Sequence, residues 1–530
     1  MGTITNEARI DRRSFLTGAG LLASVGLAGM AWGCAPQAGS DSNSGNSATT
    51  DTAQTQTEPP AQIDETLDCD IVVVGAGGSG LAAVVQASEL GASVVCIESQ
   101  NGPGGNLNGV EGCFGIGSKM QTELGINVDP GATIRSELTA SQFRASGLGY
   151  VDLVHASGEN INWLIEQGVQ FEGVDADKGD PAKGDPLVFH RFANRGTGDY
   201  VPPMVAKAEA NGVEFRYQTK GEQLIVDNDV VAGVYASTSD GMTLQINAKS
   251  VIIATGGFAD NAEYMAEMSI DVEQIHKGGY PGHDGDGHRM AVNAGAVSTL
   301  NSTALLAAFY VNGTPGYYEN GVFAFLIGVA APYSIWVNEN GERYVNEDFT
   351  GANIMLMSLP YRQNKNNFII MDQPMMDIYL NGSAEGQKQL EDGIAEGSIF
   401  VADSIDALAQ AIGAEAATLA NTVERYNGFA AAGSDQDFGK SPEVLMPLAQ
   451  APYYAINPIL EINTTIGSIK TDRNFHALNS KDTPIEGLYV VGVEGAMLWS
   501  NVYTINVPGG CNANNVNSGR VAARDAVSKL

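Results

Sequence analysis

Gly75, Ala76, Gly77, Gly78, Ser79 and Gly80 follow directly on the apolar run Ile71–Val74, and Glu98 stands about 20 residues further on. The chemistry that this spacing serves is the binding of a dinucleotide pyrophosphate. Glycines at the first, third and sixth positions permit a tight turn, close approach of the backbone to phosphate, and close packing of the helix that follows. The amides and dipole at that helix's N-terminus then face the phosphate charge, and an acid closing the next strand accepts from a ribose hydroxyl. The flanking sequence must supply strand, turn, helix and strand in that order. Ile71–Val74 reads as a parallel strand buried on both faces, and Leu81, Val84, Val85 and Leu90 give the helix its apolar positions. Otherwise the glycines only tighten a βαβ turn. A second strand runs into glycine in SVIIATGGFADN, where Gly256 and Gly257 are expected to add a cofactor contact.

With 530 residues the chain can hold a cofactor module and a substrate domain. Its 61 acids against 28 bases give a formal charge of −33, the opposite of the basic footprint that nucleic acid requires. Arg12 and Arg13 precede an uncharged stretch from Ser14 to Gly33 and then Cys34. Residues 1–34 thus look like a twin-arginine export signal ending in a lipoprotein-type cleavage site, with Cys34 as the lipidated residue. A membrane-spanning anchor is the alternative. Residues 35–66, rich in Ser, Thr, Gln, Gly and Pro, read as a flexible tether. The protein is therefore expected outside the cytoplasm, touching membrane only through this end. Cys69, Cys96, Cys113 and Cys511 show no CxxC or CxxCH spacing, which favours neither haem attachment nor zinc. They leave open an iron–sulfur centre assembled in space, or service as buried apolar fillers.

Residues 130–170 have helical spacing with Gly168 as the stop, and GVEFRYQTKGEQLIVDNDVVAGVYAST alternates strand-like runs with turns. The fold class expected is α/β: a Rossmann-type dinucleotide-binding domain from residues 67–305, an inserted α+β capping domain from 306–460, and completion of the first domain by 461–530. The insert is rich in aromatics, and the last segment returns to strand, glycine turn and helix in GLYVVGVEGA and VPGGCNANNVNSGRVAARDAV.

VVVGAGGSG, IESQNGPGGN, ATGGF, GHDGDGHRMA and the terminal PGGCN–GR segment, in this order, resemble the flavoprotein family of fumarate reductase and succinate dehydrogenase, which includes urocanate reductases and ketosteroid dehydrogenases. The resemblance implies FAD, with the pyrophosphate on Gly75–Gly80, a ribose on Glu98 and the flavin ring near Gly104, Gly105 and Asn106. Thr255, Gly256, Asp286, Gly509 and Gly510 would complete its surroundings. Gly492, Val493 and Glu494 depart from the family's Gly-Glu pair, which leaves Glu494 without an inherited role.

The catalytic positions depart further. The family arginine that protonates fumarate falls on Gly351, the HHTMGG segment is replaced by Asn463, Thr464, Thr465, Ile466, Gly467 and Ser468, and a second substrate-clamping arginine falls on or beside Asn506. A dicarboxylate leaving water needs bidentate cationic partners, so fumarate is rejected as the substrate. Phe309, Tyr310, Tyr317, Tyr318, Phe323, Phe325, Tyr333 and Trp336 offer apolar faces with hydroxyl tips, about a third of them expected in a pocket for a flat, largely uncharged molecule. Together with the export signal, this resembles flavin reductases exported by anaerobic gut actinobacteria and implies reduction of a conjugated C=C bond, such as the unsaturated lactone of a cardiac glycoside like digoxin. Tyr333 and Tyr503 are the candidate proton donors, Arg343 and Glu347 read as a structural pair, and His283 and His288 as loop residues. With no haem motif, electrons are expected from a separate donor, a membrane-bound cytochrome. The alternatives are a ketosteroid dehydrogenase and a non-catalytic lipoprotein carrying flavin for electron relay or ligand capture.

Overall fold

In a computed structural model, residues 58–175, 186–314, 332–348, 358–499, 501–504 and 507–530 are described. Arg12, Arg13, Cys34, Tyr317, Tyr318, Phe323, Phe325, Gly351 and Asn506 lie outside them. Strand β1 (Glu65–Val74) alternates in burial at its start and is then wholly buried from Ile71 to Val74. It pairs in parallel with β2 (Val94–Ile97) and with the later β9 (Thr243–Ile253). The other strands of its eight-stranded sheet are β6 (Glu214–Arg216), β7 (Thr219–Asp227), β8 (Val230–Thr238), β17 (His476–Leu478) and β18 (Pro484–Val490).

The two faces of β1 are covered differently. Ile71 and Val73 pack against helices α1 (Gly78–Glu89), α4 (Val201–Ala210) and α8 (Gly510–Val527). Val72 and Val74 pack against β7, β8 and helix α5 (Asp286–Asn293). Each such buried aliphatic contributes about 1.5–3 kcal/mol. Helix α1 is buried from Gly78 to Ser88 but ends at Glu89, so Leu90 is its exposed C-cap and not part of the apolar stripe. The helical stretch expected over 130–170 is two helices, α2 (Pro130–Ala140) and α3 (Gly147–Glu166). They are broken where Gln142 and Phe143 take positive φ.

Register sets where chemistry can occur. Val74 pairs with Ile253 and Ile253 with Val490, so β1, β9 and β18 end level with one another. Gly75, Ala254–Gly257 and Gly492–Glu494 therefore emerge together beyond the carboxyl ends of parallel strands, where open α/β sheets bind ligands. A second, three-stranded sheet joins β10 (Ile275–Lys277), β16 (Ile459–Ile466) and β11 (Ala304–Tyr310). Its edge strand β11 and central strand β16 cross the expected domain limits at 306 and 460, and they pair with each other. A four-stranded sheet of β12 (Ile335–Asn338), β13 (Asn367–Asp372), β15 (Tyr453–Ile456) and β14 (Ile399–Ala402) carries helices α6 (Ile405–Ile412) and α7 (Ala416–Ala432). Between β2 and β6, β3 (Gly112–Phe114) and β4 (Gly173–Asp175) flank β5 (Phe189–Arg191) in the remaining small sheet.

Beside the four-stranded sheet, Arg343 grips Glu347 with two bonds, of 2.9 and 2.7 Å, and reaches Asp435 at 2.8 Å. Lys440, fully buried, lies 3.5 Å from Glu347 and donates to the Ser334 carbonyl at 2.6 Å. Burial lowers the Lys440 ammonium to about 8 despite Glu347. Arg343→Ala leaves a buried carboxylate under-compensated and should cost about 3–5 kcal/mol in urea unfolding. Arg425→Ala, which breaks the solvent-facing pair with Asp437, should change little in the same measurement.

Candidate functional site

At the end of β1 the chain closes on itself with no room for side chains. A Cβ on Gly80 would lie 1.9 Å from the Gly75 carbonyl oxygen, and one on Gly75, whose φ is +106°, would lie 2.5 Å from the Ala254 carbonyl oxygen. This closure carries α1 directly off the strand. No side chain caps α1 and no acid occupies its first turn. The same is true of α8, whose N-cap is Gly509. A Cβ on Gly78 would meet Asn515, and one on Gly519 would meet Ser79 and Ala83, so the two helices run in the same direction. Two uncapped, partly positive helix ends therefore open on one side of the sheet, the arrangement that holds an anion.

Around these ends, the spaces beside Gly105 and Gly510 are open, with nothing within 4 Å of a built Cβ. Gly77 bridges to Gly104, and Gly104 donates to the Ala76 carbonyl at 2.9 Å. Glu98 accepts from the Ala76 amide with one oxygen and from the Gln100 amide with the other, both at 2.8 Å. Its carboxylate thus ties down the glycine turn and keeps lone pairs for ribose hydroxyls. Asn106 is fixed at both ends of its amide, donating to the Asn463 carbonyl at 2.9 Å and accepting from the Tyr280 amide at 2.7 Å. Gly257 packs where a Cβ would meet the Thr465 hydroxyl at 2.3 Å, while Gly256 faces His283.

Asp286, at the start of α5, forms ion pairs with Lys220 at 2.8 Å and with Arg289 at 2.7 Å. Its charge is spoken for within the protein. His283 and His288 are both buried. Burial lowers the His283 imidazole below its ordinary value and takes His288 to about 4. Glu494, the residue without an inherited role, accepts from the Thr255 hydroxyl at 2.5 Å, and its second oxygen has no partner among the described residues. Burial raises its carboxyl to about 7.

The candidate proton donors do not meet. Tyr503 is buried in the core formed by Tyr150, Leu153, Ile466 and Trp499, with its ring 5.0 Å from Trp499, and burial pushes its hydroxyl well above the ordinary range. Tyr333 packs at the edge of a different core, next to Ser334 and the Lys440 cluster. Phe309 and Trp336 contact each other inside that core; Tyr310 stacks on His276 at 3.7 Å. Arg343 and Glu347 form the structural pair expected of them. The iron–sulfur centre is not supported. Cys69 and Cys96 lie on adjacent strands, Cys113 on β3 and Cys511 on α8, all as free thiols, and no metal-holding group occurs among the described residues. The polar character of β16 was legible as Asn463–Thr465, but its bulge was not: Thr464 pairs with Leu306 and Ile462 with Ala307, leaving Asn463 over.

The profile of the FAD-binding domain family matches residues 70–503, which includes the glycine turn, the start of α1 and β16. The chain belongs to this family of FAD-binding oxidoreductases. It is 30% identical over 483 residues to the vinyl phenol reductase of Lactiplantibacillus plantarum, covering 86% of this chain and 96% of that one. It is 26% identical over 532 residues to the digoxin reductase of Eggerthella lenta, covering 92% and 91%. Its fold matches the open conformation of a flavocytochrome c3 fumarate reductase with a TM-score of 0.64 at 22% identity, over 88% of this chain and 79% of that one. The resemblance read from the glycine motifs is thereby borne out, and the chain is an FAD-dependent oxidoreductase.

FAD fits the residues present: uncapped helix ends for the pyrophosphate, Glu98 for a ribose, and open glycines at Gly105 and Gly510. Gly80→Ala forces a backbone clash and should cost about 3 kcal/mol or more in thermal unfolding while abolishing flavin retention. Gly510→Ala meets no protein atom, so it should keep the fold and lower only the flavin-to-protein absorbance ratio. Glu494 gives a pH signature. Its folded pKa, raised from 4.5 to about 7, means stability is full below about pH 4 and falls by about 3 kcal/mol as pH rises to 7 and beyond. Glu494→Gln should flatten that part of the melting-temperature profile and melt above the wild type at pH 8.

Proposed function

We propose that this flavoprotein reduces a conjugated carbon–carbon double bond in a largely uncharged, ring-bearing acceptor, not in a dicarboxylate. The observation that carries the reading is the neutral polar strand β16 against Gly257 and Asn106: Asn463, Thr464 and Thr465, with both threonine hydroxyls engaged inside the protein. Asn463, Thr464 and Thr465 offer a desolvated carboxylate none of the cationic partners that its burial demands. The unsaturated lactone of a cardiac glycoside remains the first candidate, supported by the likeness to digoxin reductase over nearly the whole chain. The ethenyl group of a hydroxylated styrene is the second, favoured by the higher identity to vinyl phenol reductase.

When bound, the flavin supplies hydride to one alkene carbon. The chain's own residues do the rest. Asn106 locks β16 to the glycine segment, Gly256 and Gly257 allow that strand to come close, and Tyr503, kept a neutral phenol by burial, gives a proton to the other carbon. Tyr503 is preferred to Tyr333 because it shares a core with the start of α8, whereas Tyr333 sits beside a structural ion cluster. The two electrons come from a separate donor, a membrane-bound cytochrome, in keeping with the absence of a CxxCH motif from the sequence. Export by the twin-arginine route and lipid attachment at Cys34 belong to the same proposal.

The test is anaerobic reoxidation of a reduced viologen dye by the flavin-loaded protein. A cardenolide or 4-vinylphenol should oxidise it and fumarate should not, and Tyr503→Phe should slow the reaction roughly a hundredfold while retaining flavin. Rapid turnover of fumarate would overturn the reading, and rapid turnover with NADPH alone would remove the separate donor.

A further inference from the structure

A buried acid that none of these roles uses lies beneath the start of α8. Glu137 on α2 is 2% exposed and has no cation within ion-pair distance among the described residues. One of its oxygens, Oε2, accepts from the Tyr150 hydroxyl at 2.8 Å and from the Thr504 hydroxyl. Tyr150 in turn accepts from the Trp499 indole at 2.9 Å. The other oxygen, Oε1, has no hydrogen-bond partner among the described residues, and the Val507 backbone faces the carboxyl.

An ionised carboxylate so placed would keep a bare oxygen in an apolar core at a cost of several kcal/mol. A proton on Oε1 removes that cost, since Oε2 already has two donors and Oε1 then needs only an acceptor. The acceptor has a place. Glu137, Tyr150, Trp499 and Thr504 line a cavity with Val507 and Gly510, and its volume open to a water-sized sphere is ≈ 10 Å³, room for one water. Gly510 is the first residue of α8, so the cavity borders the start of that helix.

We propose that Glu137 is a neutral internal acid that resupplies the proton consumed in the reduction, through its hydroxyl partners and this one-water cavity, to Tyr503. The proposal rests on the reading of the chain as a C=C reductase. Each turnover adds one hydride and one proton to the alkene. Tyr503 loses its proton to the substrate carbon, Glu137 gives up the proton on Oε1 to restore the phenol, and the Glu137 carboxylate is reprotonated from solvent. The titratable groups that face Glu137 and Tyr503 are Tyr150 on α3 and Cys511 on α8. Burial raises both, so neither adds a charge that competes for the proton. Tyr503 shares a core with Tyr150 and Trp499, and its ring lies 5.0 Å from that of Trp499.

The experiment compares flavin-loaded wild type, Glu137→Gln and Thr504→Val, with flavin content and melting temperature as controls of folding. Infrared spectra should contain a protonated carboxyl stretch that is missing from Glu137→Gln. In stopped flow, flavin reduction by dye should be equal in all three, while reoxidation by the acceptor should be roughly tenfold or more slower in Glu137→Gln and less so in Thr504→Val. The wild-type reoxidation rate should fall as pH rises through the Glu137 titration, and that inflection should vanish in Glu137→Gln. An unchanged carboxyl stretch, or equal reoxidation rates and pH profiles, would overturn the role of Glu137 alone. If no alkene reoxidised even the wild type, the proposed function would fail and the proton's destination with it.

Discussion

The contact between Gly80 and the carbonyl of Gly75 is what the rest of the site depends on. Because no Cβ stands between them, helix α1 leaves the sheet at once, and its unpaired amides lie level with the ends of β1, β9 and β18. Helix α8 can then lie alongside in the same sense through Ser79 and Gly519, another contact between small residues. Two helix ends, each with its orphan amides and partial charge, are thereby aimed at one place. Neither end is capped by its own side chains, which leaves the capping to a ligand.

The region beyond the cradle handles charge in an unusual way. Where cations are abundant, as in the Arg343–Glu347–Asp435–Lys440 cluster, they neutralise acids inside the protein. Near the strand ends and α8, burial raises the pKa of both Glu494 and Glu137. An acid in that state can give or hold a proton, but it cannot clamp an anion. That is the physical reason for proposing an uncharged acceptor.

Much of this was legible in the sequence because backbone geometry dictates residue type. The six-residue turn, the buried strand before it, Glu98, and the ATGGF and PGG segments each require glycine or an acid at a fixed place, and each occupies the edge of the cradle. Long-range pairing left weaker marks. The Asn463 bulge, the union of β11 with β16 and the parallel packing of α8 on α1 depend on partners more than a hundred residues away. Helix α8 reads as polar, yet it is buried, with Asn512, Asn514 and Asn517 bonded to Gly112, Gly492 and Asn160. Phe309 and Trp336 lie in the core with β12, the place expected of most of these aromatics. Glu137 gave no signal, since its distinction is an unpaired oxygen and not a motif.

Substrate charge is the claim on which the account turns, and binding tests it without relying on turnover. The oxidised, flavin-loaded protein would be titrated with digoxin, 4-vinylphenol and fumarate while the flavin absorbance is followed. A saturable perturbation by at least one neutral acceptor, with none from fumarate at millimolar concentration, is the result predicted. Saturable binding of fumarate, with no response to either neutral compound, would contradict the account.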